Sequence, residues 1–149
     1  MYKAILDTNY LASLIDERDV HHNKALSIEE RLIELDAQFV YLDCVINELV
    51  NVVVKRFKER KKSHEISLFI EKIQKRCPEE AITWMYPKVE SFYGRIINIV
   101  KKKNGNLNFH DALIICVANE LDISNIVSFD KGFDGSGLKR IKDAEDIVG

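Results

Sequence analysis

Short apolar runs alternate along the chain with longer segments in which apolar residues recur at helical spacing. A short apolar run bounded by polar residues is typical of a buried strand, whereas apolar residues three or four positions apart predict an amphipathic helix. We predict three strands at residues 2–6, 39–42 and 126–129, an extended stretch at 81–85 and a last short strand at 138–141. Helical segments occupy the intervals between these runs.

Six helices are predicted, with boundaries set by local breaker residues. Pro78 ends the fourth helix, Pro87 opens the fifth, and Asn104-Gly105 ends it. Strands that alternate with helices favour a parallel sheet between layers of helices. Because the 149 residues contain no repeat or linker, we predict one α/β domain over residues 1–149. The predicted helices cover residues 8–17, 22–36, 44–62, 64–76, 87–103 and 108–121.

The composition is that of an ordinary globular protein, with 46% hydrophobic and 31% charged residues. No apolar run approaches the roughly 20 residues that cross a bilayer. The N-terminus does not have the pattern of a signal peptide, so we expect a cytoplasmic protein that does not contact membranes. Cys44, Cys77 and Cys116 are far apart and odd in number, which indicates reduced thiols rather than disulfides or a zinc site.

The net charge of −2 does not by itself predict a nucleic-acid-binding protein. The charge is unevenly distributed, however, because residues 55–62 and 101–103 form dense basic runs. A solvated helix face is the usual explanation of such runs, and an anionic partner is the alternative. Both explanations stay open at this point.

Three of the predicted strands are followed directly by an aspartate: Asp7, Asp43 and Asp130. Each has a simple explanation, since Asp7 and Asp43 can cap the next helix and Asp130 can begin a turn. In a parallel sheet, however, the carboxyl ends of the strands meet at one edge, where ligands bind. These aspartates are therefore the first indication of a functional site.

Two further acids occur in strongly apolar helices. Asp111 begins the apolar face of a helix that is apolar almost all round, and an unpaired buried carboxylate there is costly. Its alternative role is a capping box with Asn108. Glu48 belongs to a polar stripe with Asn47 and Asn51, for which a solvent-facing surface is the alternative.

Carboxylates that are brought together repel one another, and their pKa values rise unless a cation neutralises them. Mg²⁺ and Mn²⁺ are hard cations that prefer oxygen ligands. Such a cation lowers the pKa of water and stabilises charge on a phosphoryl group, which suits phosphodiester hydrolysis. We therefore expect a catalytic metal site formed by Asp7, Glu48, Asp111 and Asp130.

At these residues the sequence resembles the PIN-domain superfamily, and within it the VapC-type ribonuclease toxins. The likeness extends from near residue 3 to near residue 141, and the order and spacing of its motifs are more specific than any one motif. The first motif supplies an aspartate with a supporting polar residue two positions later. The motifs are ILDTNYL at residues 5–11, VINEL at 45–49, LNFHDALI at 107–114 and IVSFDKGF at 126–133.

The resemblance implies a PIN-like three-layer α/β/α sandwich with a central parallel sheet. It implies an endoribonuclease that uses Mg²⁺ or Mn²⁺ and water to cleave single-stranded RNA, leaving 5′-phosphate and 3′-hydroxyl ends. Asp7 and Asp111 would be the firmest metal ligands, and Glu48 and Asp130 would complete the pocket directly or through water. It further implies a homodimer that a small antitoxin protein inhibits.

Several residues depart from the family pattern or keep two interpretations. Asp43 stands where many relatives have Ser or Thr, so it either caps a helix or adds a fifth acid. Asp134 competes with Asp130 for the last ligand position, and Asp130 is favoured because it follows the predicted strand. His110 is expected to cap or pack rather than to catalyse. The basic helical pair over residues 44–76 either guides RNA or contacts a partner.

Other functional classes fit the sequence less well. A receiver-like signalling domain needs two adjacent acids after the first strand, and the residues after Leu6 are Asp7, Thr8 and Asn9. An Asp-x-Asp phosphatase lacks its second acid for the same reason, because Asn9 stands in that place. The remaining alternatives are a PIN-like protein of RNA processing or ribosome maturation and a non-catalytic RNA-binding module.

Overall fold

Five parallel strands form the central sheet of the computed structural model, which describes residues 1–149. Their order across the sheet is β3-β2-β1-β4-β5, and every neighbouring pair is parallel. The central strand is thus the first one in the chain. The strands are β1 Lys3–Leu6, β2 Gln38–Leu42, β3 Ile82–Thr83, β4 Asn125–Val127 and β5 Lys139–Ile141.

Six α-helices cover the sheet and confirm the three-layer α/β/α sandwich. The first helix packs against the second, third and fourth, and the last two pack against each other. No helix is both long and apolar enough to cross a membrane. The helices are α1 Thr8–Ile15, α2 His22–Glu34, α3 Asp43–Glu59, α4 Ile66–Arg76, α5 Val89–Lys102 and α6 Phe109–Glu120.

The core is built on β1 and α6. Ala4, Ile5 and Leu6 of β1 are almost inaccessible to solvent, as expected for a central strand covered on both faces. In α6 every residue of the range 112–118 is buried, which confirms the interior helix predicted from its apolar character. The three cysteines are free thiols and are buried, as predicted.

The topology creates a crevice at the carboxyl end of β1. From β1 the chain proceeds outwards through β2 to β3, and it then returns to the opposite side of β1 for β4 and β5. Ligands of open α/β sheets bind where the direction of strand addition reverses in this way. Asp7 directly follows β1 and therefore lies at this position.

The fourth strand is shorter at its carboxyl end than the sequence predicted. It ends at Val127 rather than at residue 129, so Asp130 does not follow it directly and lies three positions beyond it. Side chains explain the early end, since Asn9 Oδ1 accepts the N–H of Phe129 and Ser128 Oγ accepts the N–H of Asp130. The N–H of Ser128 still donates to the Ile141 carbonyl at 3.0 Å, and only the N–H groups beyond it are bonded to side chains instead of a neighbouring strand.

Candidate metal centre

The four predicted acids line one polar cleft of about 180 Å³ at the carboxyl edge of the sheet. Only one of its nine lining residues is hydrophobic. A larger depression of about 470 Å³ lies beside α1 and α4, but none of the four acids lines it. The cleft, which we call the acid cleft, is lined by Asp7, Thr8, Asn9, Glu48, Val52, Arg56, Asn108, Asp111 and Asp130.

Asp7 is the most buried of the four acids, with 4% of its surface exposed. Its Oδ1 accepts the N–H of Thr8 at 2.8 Å, so it also caps α1. Its Oδ2 accepts the Ser128 hydroxyl at 2.6 Å and the Asn9 amide at 3.2 Å. All of these donors are neutral, so the carboxylate is held in a fixed orientation without a counter-charge.

Burial raises the pKa of Asp7 from 3.8 to about 6. The hydrogen bonds from Ser128 and Thr8 and the nearby His110 act in the opposite direction, while Asp111 adds to the rise. Desolvation therefore outweighs the donors around this carboxylate. The charged form of Asp7 lacks the stabilisation that a bound cation would provide.

Glu48 reaches the acid cleft from α3 and contacts α6. Its Oε2 lies 2.6 Å from Nε2 of His110 and accepts the Thr8 hydroxyl at 3.0 Å. This short contact pairs the two side chains, and it is an ion pair when His110 is protonated. His110 lowers the pKa of Glu48. Burial lowers the pKa of His110, but the negative charges of Glu48, Asp7 and Asp111 outweigh burial, so the pKa of His110 is raised overall.

Asp111 lies in the first turn of α6 and combines two roles that the sequence left open. It forms a capping box with Asn108: the Asn108 side chain accepts the N–H of Asp111 at 2.9 Å, and Asp111 Oδ2 accepts the N–H of Asn108 at 3.3 Å. It also lines the acid cleft. Burial raises its pKa, and the charges of Asp130 and Glu48 add to that effect.

Asp130 lines the acid cleft from the loop after β4. Its Oδ1 accepts the N–H of Gly132 at 2.8 Å and caps a short turn over Lys131–Phe133. Gly132 suits this turn, because a Cβ would lie 3.0 Å from the Asn106 carbonyl and 3.1 Å from Oδ1 of Asp130, and these atoms would have to shift to accept it. The turn thus fixes the acid at the cleft even though the strand ends earlier than predicted.

Neither alternative acid lines the acid cleft. Asp43 is buried at the start of α3, where Oδ1 accepts the N–H of Cys44 at 2.8 Å and Oδ2 accepts the N–H groups of Met85 and Tyr86 at 2.7 Å. Asp134 is exposed and forms a two-bond pair with Arg140 at 2.7 and 2.9 Å. Of the two candidates for the last position, Asp130 is therefore the one placed at the cleft.

A family model described as "PIN domain" matches residues 4–136 of the chain. This chain belongs to the PIN-domain family. Among solved structures, it is similar to the crystal structure of VapC20 from Mycobacterium tuberculosis, described as a sarcin–ricin loop cleaving toxin. The two share 18% identity at a TM-score of 0.67, over 91% of this chain and 95% of that one, which establishes a common fold. No curated protein matches the chain significantly.

The donor set of this PIN domain fits a hard divalent cation in its chemistry. Asp7, Asp111 and Asp130 form no ion pair, and only Glu48 of the four directly contacts a potential cation, His110. As the side chains stand, no three of the acidic, histidine or cysteine groups converge closely enough to hold an ion between them. Binding by these acids therefore requires side-chain rotation or bridging water, both common for Mg²⁺.

Two residues that line or support the acid cleft were not singled out in the sequence. Ser128 is fully buried and donates to Asp7, but a lone serine after an apolar run has no distinguishing pattern. Arg56 lines the acid cleft, whereas the sequence presented it only as one member of the basic run 55–62. Its spacing of eight residues from Glu48, close to two helical turns, was the available signal.

The basic run does not form one continuous basic surface. Arg56 Nη1 pairs with Asp16 at 3.1 Å and with Asp19 at 2.8 Å. Arg60 forms two bonds to Asp16, at 3.2 and 2.8 Å. Two of the run's cations therefore fasten α3 to the loop after α1, and Phe57 between them is buried.

Replacing Asp7 with Asn should stabilise the metal-free protein at neutral pH and above. The pKa of Asp7 is raised to about 6, so the folded state keeps a proton that the unfolded state releases near pH 4, and stability falls as pH rises through that window. We expect Asp7→Asn to gain about 1–2 kcal/mol at pH 8 and little at pH 4. Thermal unfolding in the presence of a chelator measures both values.

Asp134→Asn is the matched control for this measurement. Arg140 lowers the pKa of Asp134, so its charged form is favoured in the folded state, and its replacement should reduce stability at pH 8. A lower melting temperature for Asp7→Asn than for the unmodified protein at pH 8 would contradict the burial argument.

Proposed function

We propose that this PIN domain is an endoribonuclease that uses Mg²⁺ or Mn²⁺ to hydrolyse single-stranded RNA. The observation that carries the proposal is the set of three carboxylates that form no ion pair, on one polar cleft at the carboxyl edge of the sheet. Membership of the PIN-domain family supports a nuclease activity. The catalytic and metal-binding residues in this proposal are Asp7, Glu48, Asp111 and Asp130.

The chain's own residues orient the ligands and bind the substrate. When bound, the cation lowers the pKa of water and stabilises the charge that develops on the phosphoryl group. Ser128, Thr8 and Asn9 hold the Asp7 carboxylate, so its orientation does not depend on the cation. Glu48 already contacts His110 and the Thr8 hydroxyl, so a cation bound by Glu48 would compete with these two contacts.

Arg56 is the one cationic side chain that lines the acid cleft, which makes it the natural contact for a substrate phosphate. Asp16 and Asp19 bind only its Nη1, and its Nε and Nη2 make no hydrogen bond within the protein. A guanidinium held in this way presents its remaining donors at a fixed position. Planar donor pairs of this kind bind phosphate oxygens well.

The choice of RNA rests on the family motifs and on the common fold with VapC20, which is described as a toxin that cleaves the sarcin–ricin loop. By the same reasoning we propose that the chain acts as a VapC-type toxin whose partner is a small antitoxin protein. A homodimer and a cytoplasmic location, both expected from the sequence, stay predictions. RNA processing in ribosome maturation stays the alternative role for the same chemistry.

Purified protein should cleave a flexible single-stranded RNA in Mg²⁺ or Mn²⁺, and Asp7→Asn or Asp111→Asn should lower the rate at least about 100-fold, since each removes a proposed metal ligand. Gel analysis of end-labelled RNA measures the rate and identifies 5′-phosphate ends. Asp134→Asn is the control: Asp134 pairs with Arg140 outside the acid cleft, so this variant should cleave RNA at the unchanged rate.

Two results would overturn this function. Full activity in excess chelator would exclude the metal, and equal cleavage by the double variant Asp7→Asn, Asp111→Asn would exclude the acid cleft. Tight binding of RNA without any cleavage would instead support a non-catalytic RNA-binding module.

Arg56→Gln should raise the KM for RNA on the order of tenfold and reduce by about one the slope of log affinity against log salt, because it removes one phosphate contact. Arg60→Gln is the matched control, since Arg60 also pairs with Asp16 but does not line the acid cleft. Both variants should lose stability, and only Arg56→Gln should change KM. Equal changes in KM would show that the pair with Asp16 matters only for folding.

A further inference from the structure

A second depression adjoins the acid cleft on the other side of Glu48. It measures about 250 Å³ and is lined by Cys44, Asn47, Glu48, Asn51, Tyr86 and His110. The two spaces share Glu48 as a lining residue, so they lie side by side. We call it the amide pocket, because side-chain amides and a phenol ring replace the carboxylates of the neighbouring cleft.

The polar groups of the amide pocket form a short hydrogen-bonded chain. Asn51 Nδ2 donates to Asn47 Oδ1 at 3.2 Å, and Asn47 Nδ2 donates to the Tyr86 hydroxyl oxygen at 2.7 Å. Asn51 Oδ1 and the hydroxyl hydrogen of Tyr86 have no partner in the protein. Each amide also keeps a second N–H for another acceptor. The pocket thus offers donors and acceptors side by side, as the edge of a nucleobase requires.

Tyr86 is held through its backbone and, at the far end of the ring, through its hydroxyl oxygen, which accepts an N–H of Asn47. It is 44% exposed, but Asp43 accepts the N–H groups of both Met85 and Tyr86, and the Met85 side chain is buried. Asp43, which stands where many family members have Ser or Thr, therefore fixes the backbone segment that carries the Tyr86 ring. Ordering an aromatic side chain beforehand lowers the entropy that a stacked base would otherwise lose.

The charges of the amide pocket argue against a phosphate as its occupant. Its only anion is Glu48, and its only potential cation, His110, already contacts that carboxylate at 2.6 Å. A neutral, flat group with mixed donors and acceptors fits these walls better than an anion does. Unpaired bases of single-stranded RNA are recognised by aromatic stacking combined with such hydrogen bonds.

We propose that the amide pocket binds one unpaired base of the RNA, next to the phosphate at the acid cleft. Tyr86 stacks on the base, and Asn47 and Asn51 contact its edge. The pocket thereby confers a preference for RNA that is flexible at the cleaved bond. This inference rests on the proposed ribonuclease function and deepens it by identifying where the substrate's base lies.

The test combines removal of single bases from the RNA with removal of the ring from the protein. A short fluorescent single-stranded RNA with an abasic site at each position in turn is titrated into the Asp111→Asn protein, and binding is measured by anisotropy. One abasic position should weaken binding on the order of tenfold. In the Asp111→Asn, Tyr86→Ala protein, an abasic site at the same position should lower the affinity for RNA less than about twofold, because the ring that stacked on the base is gone.

Tyr93→Ala is the matched control, because Tyr93 is 61% exposed on α5 and does not line the amide pocket. With Tyr93→Ala, base removal should lower the affinity for RNA as much as it does in the Asp111→Asn protein. Tyr86→Phe should behave in the same way, because it keeps the aromatic ring. If base removal lowers the affinity equally with and without the Tyr86 ring, while the protein with Asp111 intact still cleaves RNA, the assignment of the amide pocket is wrong and the proposed nuclease function is retained. If no RNA is bound or cleaved at all, both are wrong.

Discussion

The structure depends on one unfavourable constraint, which is that Asp7 is buried at the end of the central strand without a counter-charge. Burial raises its pKa to about 6, and neutral donors from Thr8, Asn9 and Ser128 offset only part of that cost. Ser128 directly follows the adjacent strand β4, so the ends of β1 and β4 are linked through this carboxylate. A site that is strained in this way without a cation is suited to bind one, as sites with perturbed pKa values often are.

Some of the charged groups around the acid cleft line it, and others bind and orient the residues that line it. Asp16 and Asp19 bind Arg56 and leave its remaining donors towards the cleft. Asp43 fixes the segment before α5, on which the proposed base-binding ring lies. Asp16, Asp19 and Asp43 lie outside the acid cleft and position the residues that we propose to contact substrate.

The sequence predicted the layers, the parallel sheet and the convergence of the four acids on one cleft, because apolar periodicity and acidic residues at the ends or starts of apolar segments are local patterns. It did not predict that β4 ends at Val127, because that end is set by Asn9 and Ser128, far apart in the chain. The role of Arg56 was equally hidden, since it depends on which face of α3 turns towards the loop after α1. Long-range hydrogen bonds and helix orientation leave little trace in local patterns.

The most direct measurement of the central claim is a crystal structure of the protein soaked in Mn²⁺, with the metal located by its anomalous scattering. The account predicts a peak in the acid cleft, with oxygens of Asp7 and Asp111 at about 2.2 Å and with Glu48 turned away from His110. The variant Asp7→Asn, Asp111→Asn should show no such peak under the same soak. A cleft that stays empty at saturating Mn²⁺, or a peak that persists in the variant, would contradict the account.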